Sequence, residues 1–208
     1  ASQNDQYAEI EFSWSPSGLP FASVLETAGE IPLPPYLHRD AELSDSDRYQ
    51  TVFARYDGSV AAPTAGLHFT HPLIASLHER NFSFDEVTLH VGAVTFRPVS
   101  TETIGEHAMH SETIIVRRSL IENLKGREGK PVIPVGTTST RTLESLYWIG
   151  VMLKEQGDAI RQLHVEQWFP YEPHEPLSTS EALQYVLSYL DLHGLTRLEA
   201  STALMIAP

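Results

Sequence analysis

The chain has 208 residues, 41% of them hydrophobic and 20% charged, with no cysteine and a formal charge of -13. That length and balance suit one sizeable globular core with or without a small lobe. Disulfides and thiolate metal sites are excluded, the composition fits a reducing, cytoplasmic setting, and the acidity argues against a nucleic-acid binder built on a broad basic patch.

The charge is unevenly spread. Residues 1–30 hold five acids and no base, residues 155–208 eight acids and two bases, and residues 31–154 fourteen acids and twelve bases with seven of the ten histidines. The chemistry is therefore expected in the middle block. No apolar run reaches the ~18 residues of a membrane-crossing helix. The chain opens on Ala1 without a methionine and closes on the apolar run Ala203–Pro208, so it reads as a fragment of a longer protein.

Taken in order, residues 7–14 alternate apolar and polar like a half-buried strand, and Phe21 to Thr27 predicts a short helix. The prolines of Ile31–Pro35 enforce an extended connection. Asp45 or Ser46 caps a predicted helix carrying Tyr49, Val52 and Phe53, and Thr70 caps one carrying Leu73, Ile74 and Leu77. Val87–Val91 and Val94–Val99 predict strands broken at Gly92. A helix follows over Ser119–Lys130, then a buried strand over Pro131–Val135, then a long helix over Arg141–Gln156. Beyond a proline-marked loop, Ser178 or Ser180 caps a helix with Leu183, Val186 and Leu190, and Leu198–Ile206 predicts a last strand. Strands alternating with helices indicate an α/β fold, a largely parallel layered sheet with helices on both faces.

Four stretches carry candidate chemistry. Ser59–Thr70 is poor in charge and rich in small residues; Thr64, Gly66, His68 and Thr70 suit close approach to a ligand or, equally, a tight interior crossing. His90 beside Gly92 is either a ligand-facing or a hydrogen-bonded core histidine. His107, His110 and Glu112 invite a zinc reading, but the spacing is not His-Glu-x-x-His, and proton transfer or hydroxyl binding fits better. On an extended chain His110 and Glu112 share a face and His107 does not. Gly136–Arg141 opens a helix whose free amides at Gly136, Thr137 and Thr138 attract an anion, with Arg141 and Glu144 spaced to pair. An ordinary capped helix is the alternative.

Gly29–Arg39 and Asp47–Ala54, followed in order by Ser59–Thr70, Val87–Gly92, Thr95–Pro98, His107–Glu112 and Val135–Ser145, resemble the blocks of the S-adenosylmethionine:tRNA ribosyltransferase-isomerases. The resemblance implies a larger α/β domain, here residues 29–208, and a small β-barrel, of which residues 1–28 are the tail. It also implies an activity: the ribosyl part of S-adenosylmethionine is transferred to the aminomethyl group of a 7-deazaguanine base in the tRNA anticodon loop and isomerised to epoxyqueuosine. S-adenosylmethionine is the co-substrate, with no metal. His68, His90, His107 and His110 become candidate acids and bases and Glu112 an orienting or hydroxyl-binding carboxylate. Arg48, Thr64, Gly66, Thr70, Gly92, Gly136, Thr137, Thr138 and Arg141 become candidate substrate contacts. The chain departs from the family at Val94, where a second glycine is usual. His164–Thr196 has no counterpart and reads as an insertion, and the family's later Asn-Phe-His segment is absent. A relative that binds S-adenosylmethionine or another nucleoside without modifying tRNA is the alternative function; a metal-dependent hydrolase is a third.

Overall fold

The computed structural model describes residues 2–3, 8–34, 37–55, 61–90, 101–127, 129–157, 160 and 162–207. Gly92 and the predicted strand Val94–Val99 lie outside the described residues. The chain divides into two compact units, Ala1–Pro32 and Leu33–Pro208.

In the first unit β1 (Ser2–Gln3) pairs antiparallel with β2 (Ala8–Glu9). Helix α1 (Phe21–Ala28) buries no side chain, and Phe21 instead meets Phe12 and Trp14 at ring-centroid distances of 5.2 and 5.5 Å.

The second unit is built on a four-stranded sheet in the order β3 (Thr88–His90), β4 (Glu112–Arg117), β6 (Arg197–Thr202), β5 (His164–Val165). The α/β class expected from the sequence holds, but the sheet is mixed. Its β3–β4 and β4–β6 pairs are antiparallel, and only β5–β6 is parallel. The largely parallel sheet is thus corrected, because β4 feeds straight into helix α4 (Arg118–Lys125) rather than through a crossover to a parallel neighbour.

Strand β4 was not among the predicted elements. It alternates buried and open positions, with Glu112, Ile114 and Val116 turned inward. The buried strand expected at Pro131–Val135 does not form; Val132 and Ile133 are 43% and 76% exposed. Pro131 and Pro134 remove two ladder donors from that short run, so a sheet position there would be poorly bonded. The helix expected to reach Lys130 ends at Lys125, where the Gly126 N–H caps the Glu122 carbonyl at 3.0 Å. The one expected around Tyr49–Phe53 is a single turn, α2 (Asp45–Arg48).

Other local expectations hold. The Thr70 hydroxyl accepts from the Leu73 N–H at the start of α3 (His71–Glu79). Ser178 and Glu181 form a reciprocal capping box on α6 (Thr179–Leu192), the arrangement that satisfies two orphan N–H groups at once. The cap expected from Asp45 or Ser46 does not form: the N-cap of α2 is Ser44. Arg39 instead grips the Asp45 carboxylate with two bonds of 2.7 Å, which together with the Glu42 N–H hold its pKa down at about 2.

The core joins Ile114 and Val116 of β4, Val165 of β5 and Leu198 and Ala200 of β6 to apolar residues of α4, α6 and the long helix α5 (Thr137–Gln156). Residues 179–192, in the stretch expected to be an insertion, supply α6 and with it Leu183, Val186, Leu187 and Leu190. Helices α5 and α6 approach so closely at Gly150 that an added Cβ would lie 2.2 Å from the Ala182 carbonyl oxygen. Alanine favours a helix over glycine by about 1 kcal/mol, but here it meets backbone rather than a flexible side chain. Gly150→Ala is therefore expected to lower stability by about 1–3 kcal/mol, the usual cost of overpacking, in a denaturant titration. A variant as stable as the parent would show that the two helices separate freely.

Candidate functional site

Glu112 opens β4 on its inward face, directly opposite Thr202 of β6. On α5, Arg141 and Ser145 are one turn apart and so share a helix face. Each meets one member of that strand pair: Arg141 Nη1 lies 3.2 Å from Glu112 Oε2, and the Ser145 hydroxyl bonds the Thr202 hydroxyl at 2.8 Å. The Leu204 N–H also donates to the Thr202 hydroxyl at 3.1 Å. The helix face and the strand ends thereby fix each other's register.

Glu112 is a carboxylate with a 3% exposed side chain, and Arg141 is 12% exposed. Their facing atoms make an ionic contact without a hydrogen bond. Burial pulls the Arg141 pKa below its usual value, and the Glu112 charge opposes that pull. The other carboxylate oxygen, Oε1, sits 2.9 Å from His110 Nε2. A carboxylate only accepts, so Nε2 carries the proton. In the neutral ring Nδ1 is then the basic nitrogen, and no described group bonds it. An imidazole held by a carboxylate that is itself held by a guanidinium is an arrangement suited to proton transfer. The shared face of His110 and Glu112 follows from their i,i+2 spacing. The pairing of Arg141 with Glu144 does not occur: Glu144 is exposed and Arg141 turns to β4.

The loop at 64–68 meets the start of α5. A Cβ at Gly136, whose φ is +95°, would stand 3.6 Å from Ala65 Cβ. Gly66 is buried, with its Cβ position 3.1 Å from Thr51 Cγ2 and 3.4 Å from the Phe53 ring. No side chain caps α5, although the Gly136 carbonyl accepts from the Thr140 hydroxyl and the Thr138 carbonyl from the Thr142 hydroxyl. Thr137 is exposed and Thr138 half-buried.

The remaining candidates are not gathered there. His68, Thr64 and Arg48 are exposed, and the Thr70 hydroxyl is occupied in capping α3. His90 pairs across the sheet with Thr113, and in the same row stand Ser201 and His164. Opposed residues share a face, so His90 lies on the side away from Glu112. His164 Nδ1 and the Ser201 hydroxyl are 2.7 Å apart in that row. His107 is half-buried, and its carbonyl accepts from the Gln167 side chain at 2.6 Å. Gln167 and the Ser145–Thr202 pair escaped the sequence reading, since only long-range contacts distinguish them from other polar residues. Among the described residues no set of three or more His, Asp or Glu gathers as metal ligands. A separate groove of about 690 Å³ is lined by Lys125, Arg127, Lys130, Glu144, Tyr147 and Trp148 among others, and by none of the candidates above.

No solved structure matches the chain. Over 130 residues it is 51% identical to an S-adenosylmethionine:tRNA ribosyltransferase-isomerase of Xanthomonas euvesicatoria pv. vesicatoria (strain 85-10), a match covering 62% of this chain and 36% of that relative. The chain thus spans little more than a third of the relative's length. Residues 1–168 match the profile of a family described as "Queuosine biosynthesis protein". With most of the chain inside that match, including every candidate residue and the His110–Glu112–Arg141 relay, it belongs to the queuosine biosynthesis protein family.

Proposed function

We propose that the protein containing this chain transfers and isomerises the ribosyl group of S-adenosylmethionine onto a 7-aminomethyl-7-deazaguanine base of a tRNA anticodon loop, in the cytoplasm. The observation that carries the reading is the His110–Glu112–Arg141 relay in a chain that is 51% identical, over the matched part, to a relative of that name. A sulfonium acidifies the C5′ hydrogens beside it, and a neutral imidazole is suited to take such a proton near pH 7. His110 Nδ1 is the proposed base, with Glu112 orienting the ring and Arg141 holding Glu112. Departing adenine needs a proton, for which His68, His90 and His107 are the candidates.

The uncapped amides at Gly136, Thr137 and Thr138 would receive the methionine carboxylate, with the small-residue loop at Thr64 and Gly66 beside them. The nearness of the Ala65 Cβ, 3.6 Å from where a Cβ at Gly136 would stand, supports this grouping. Thr70, Gly92 and Arg48 complete the proposed substrate contacts, and residues 1–28 the tail of a small β-barrel. Among the described residues no helix is long and apolar enough to cross a membrane.

The acidic chain and the tRNA partner are compatible because a loop base is read by stacking and edge contacts more than by phosphate charge. Lys125, Arg127 and Lys130 at the groove supply cations for a few phosphates. The test is adenine release by the full-length protein from S-adenosylmethionine, with and without an anticodon stem-loop carrying the 7-deazaguanine base. Release that requires the stem-loop is expected, with a salt slope of binding equal to about two to four phosphates rather than six to ten. S-adenosylmethionine binding without stem-loop binding or adenine release would instead establish the nucleoside-binding alternative.

A further inference from the structure

Gln167 follows β5, and the β5–β6 ladder continues through it. Ala203 donates to the Val165 carbonyl at 2.9 Å and Met205 to the Gln167 carbonyl at 3.1 Å, so its backbone is held by the sheet. Its side chain turns to the irregular segment before β4. Nε2 donates to the His107 carbonyl at 2.6 Å, and the Met109 N–H donates to Oε1 at 2.9 Å. A carboxamide carries the same donor and acceptor as a peptide unit. One carbonyl and the N–H two residues on is the pair a neighbouring parallel strand engages. The Gln167 side chain thus stands in for a strand neighbour beside Ala108. Among the described residues no other hydrogen bond reaches the backbone of residues 108–111. That stretch contains His110 and leads directly into Glu112.

We propose that Gln167 is a positioning residue for the reaction, holding residues 107–109 so that the His110 ring meets Glu112. The inference rests on the reading of His110 as the proton-transfer group. Gln167→Leu removes both bonds. Gln167→Glu keeps the acceptor for Met109 but turns a carboxylate toward the His107 carbonyl, and it serves where the leucine variant folds poorly.

In the full-length protein both variants should lower kcat about tenfold or more, since a misplacement of about 1 Å can cost on the order of a hundredfold. KM for S-adenosylmethionine should change by less than about threefold, because ground-state binding is left intact. Hydrogen exchange at the Met109 amide should quicken in Gln167→Leu while the α5 and α6 amides keep their protection. A kcat within about threefold of the parent, or a matched fall in binding, would overturn the positioning role, and so would unchanged Met109 exchange. The exchange readout does not depend on turnover. A parent protein that releases no adenine therefore defeats the functional reading, whereas unaltered Met109 exchange defeats the clamp itself.

Discussion

Glu112→Ala is expected to destabilise the protein by about 3–5 kcal/mol, the cost of leaving one member of a buried ion pair without its partner. Arg141 sits on the face of α5 that packs on the strand ends, only 12% exposed, and burial already pulls its pKa down against the support of Glu112. Without the carboxylate, an arginine that stays charged at neutral pH must find water or force α5 away from β4. Arg141→Ala should cost a similar amount by stranding the carboxylate, which is 3% exposed. The double variant should lose clearly less than the sum, because groups in contact are coupled. Denaturant unfolding of the parent, both single variants and the double closes this cycle. Strictly additive losses would mean that the 3.2 Å contact carries no coupling energy.

His110→Ala is expected to lower the single-turnover rate of adenine release by about a hundredfold or more, the scale of a general acid or base. That corresponds to about 2.7 kcal/mol on the barrier. The ring is a quarter exposed, with Nε2 committed to Glu112, so its removal should disturb the fold far less than loss of Glu112. His110→Gln is the sharper variant: an amide can still donate toward Glu112 but offers no basic nitrogen. Comparable losses in the alanine and glutamine variants would assign the effect to proton transfer. A rate within a few-fold of the parent in both would return His110 to a structural histidine and leave His68, His90 and His107 as candidates.

The sequence by itself determined the features set within one or two turns of chain. The Thr70 and Ser178 caps, the helix after Gly136 and the shared face of His110 and Glu112 all depend on residues no more than four apart, where covalent geometry leaves few choices. It also determined the family, because blocks preserved in order over most of the chain identify it without any contact being known. The tertiary structure alone decided the partners. Glu112 starts a strand whose place is fixed by β6, some ninety residues later, so nothing near it announced its burial or its pairing with Arg141. Local spacing offered Glu144 to Arg141, yet an exposed helical pair is worth only about 0.2–0.5 kcal/mol, too little to hold the side chain once α5 packs on the strand ends. Val132 and Ile133 were as apolar as a core strand requires, but flanking prolines and the lack of a strand partner among the described residues left them exposed. Gln167 was an unremarkable polar residue until the ladder beyond β5 brought its carboxamide to His107 and Met109. Local propensity fixes elements; register and long-range closure select which polar groups meet.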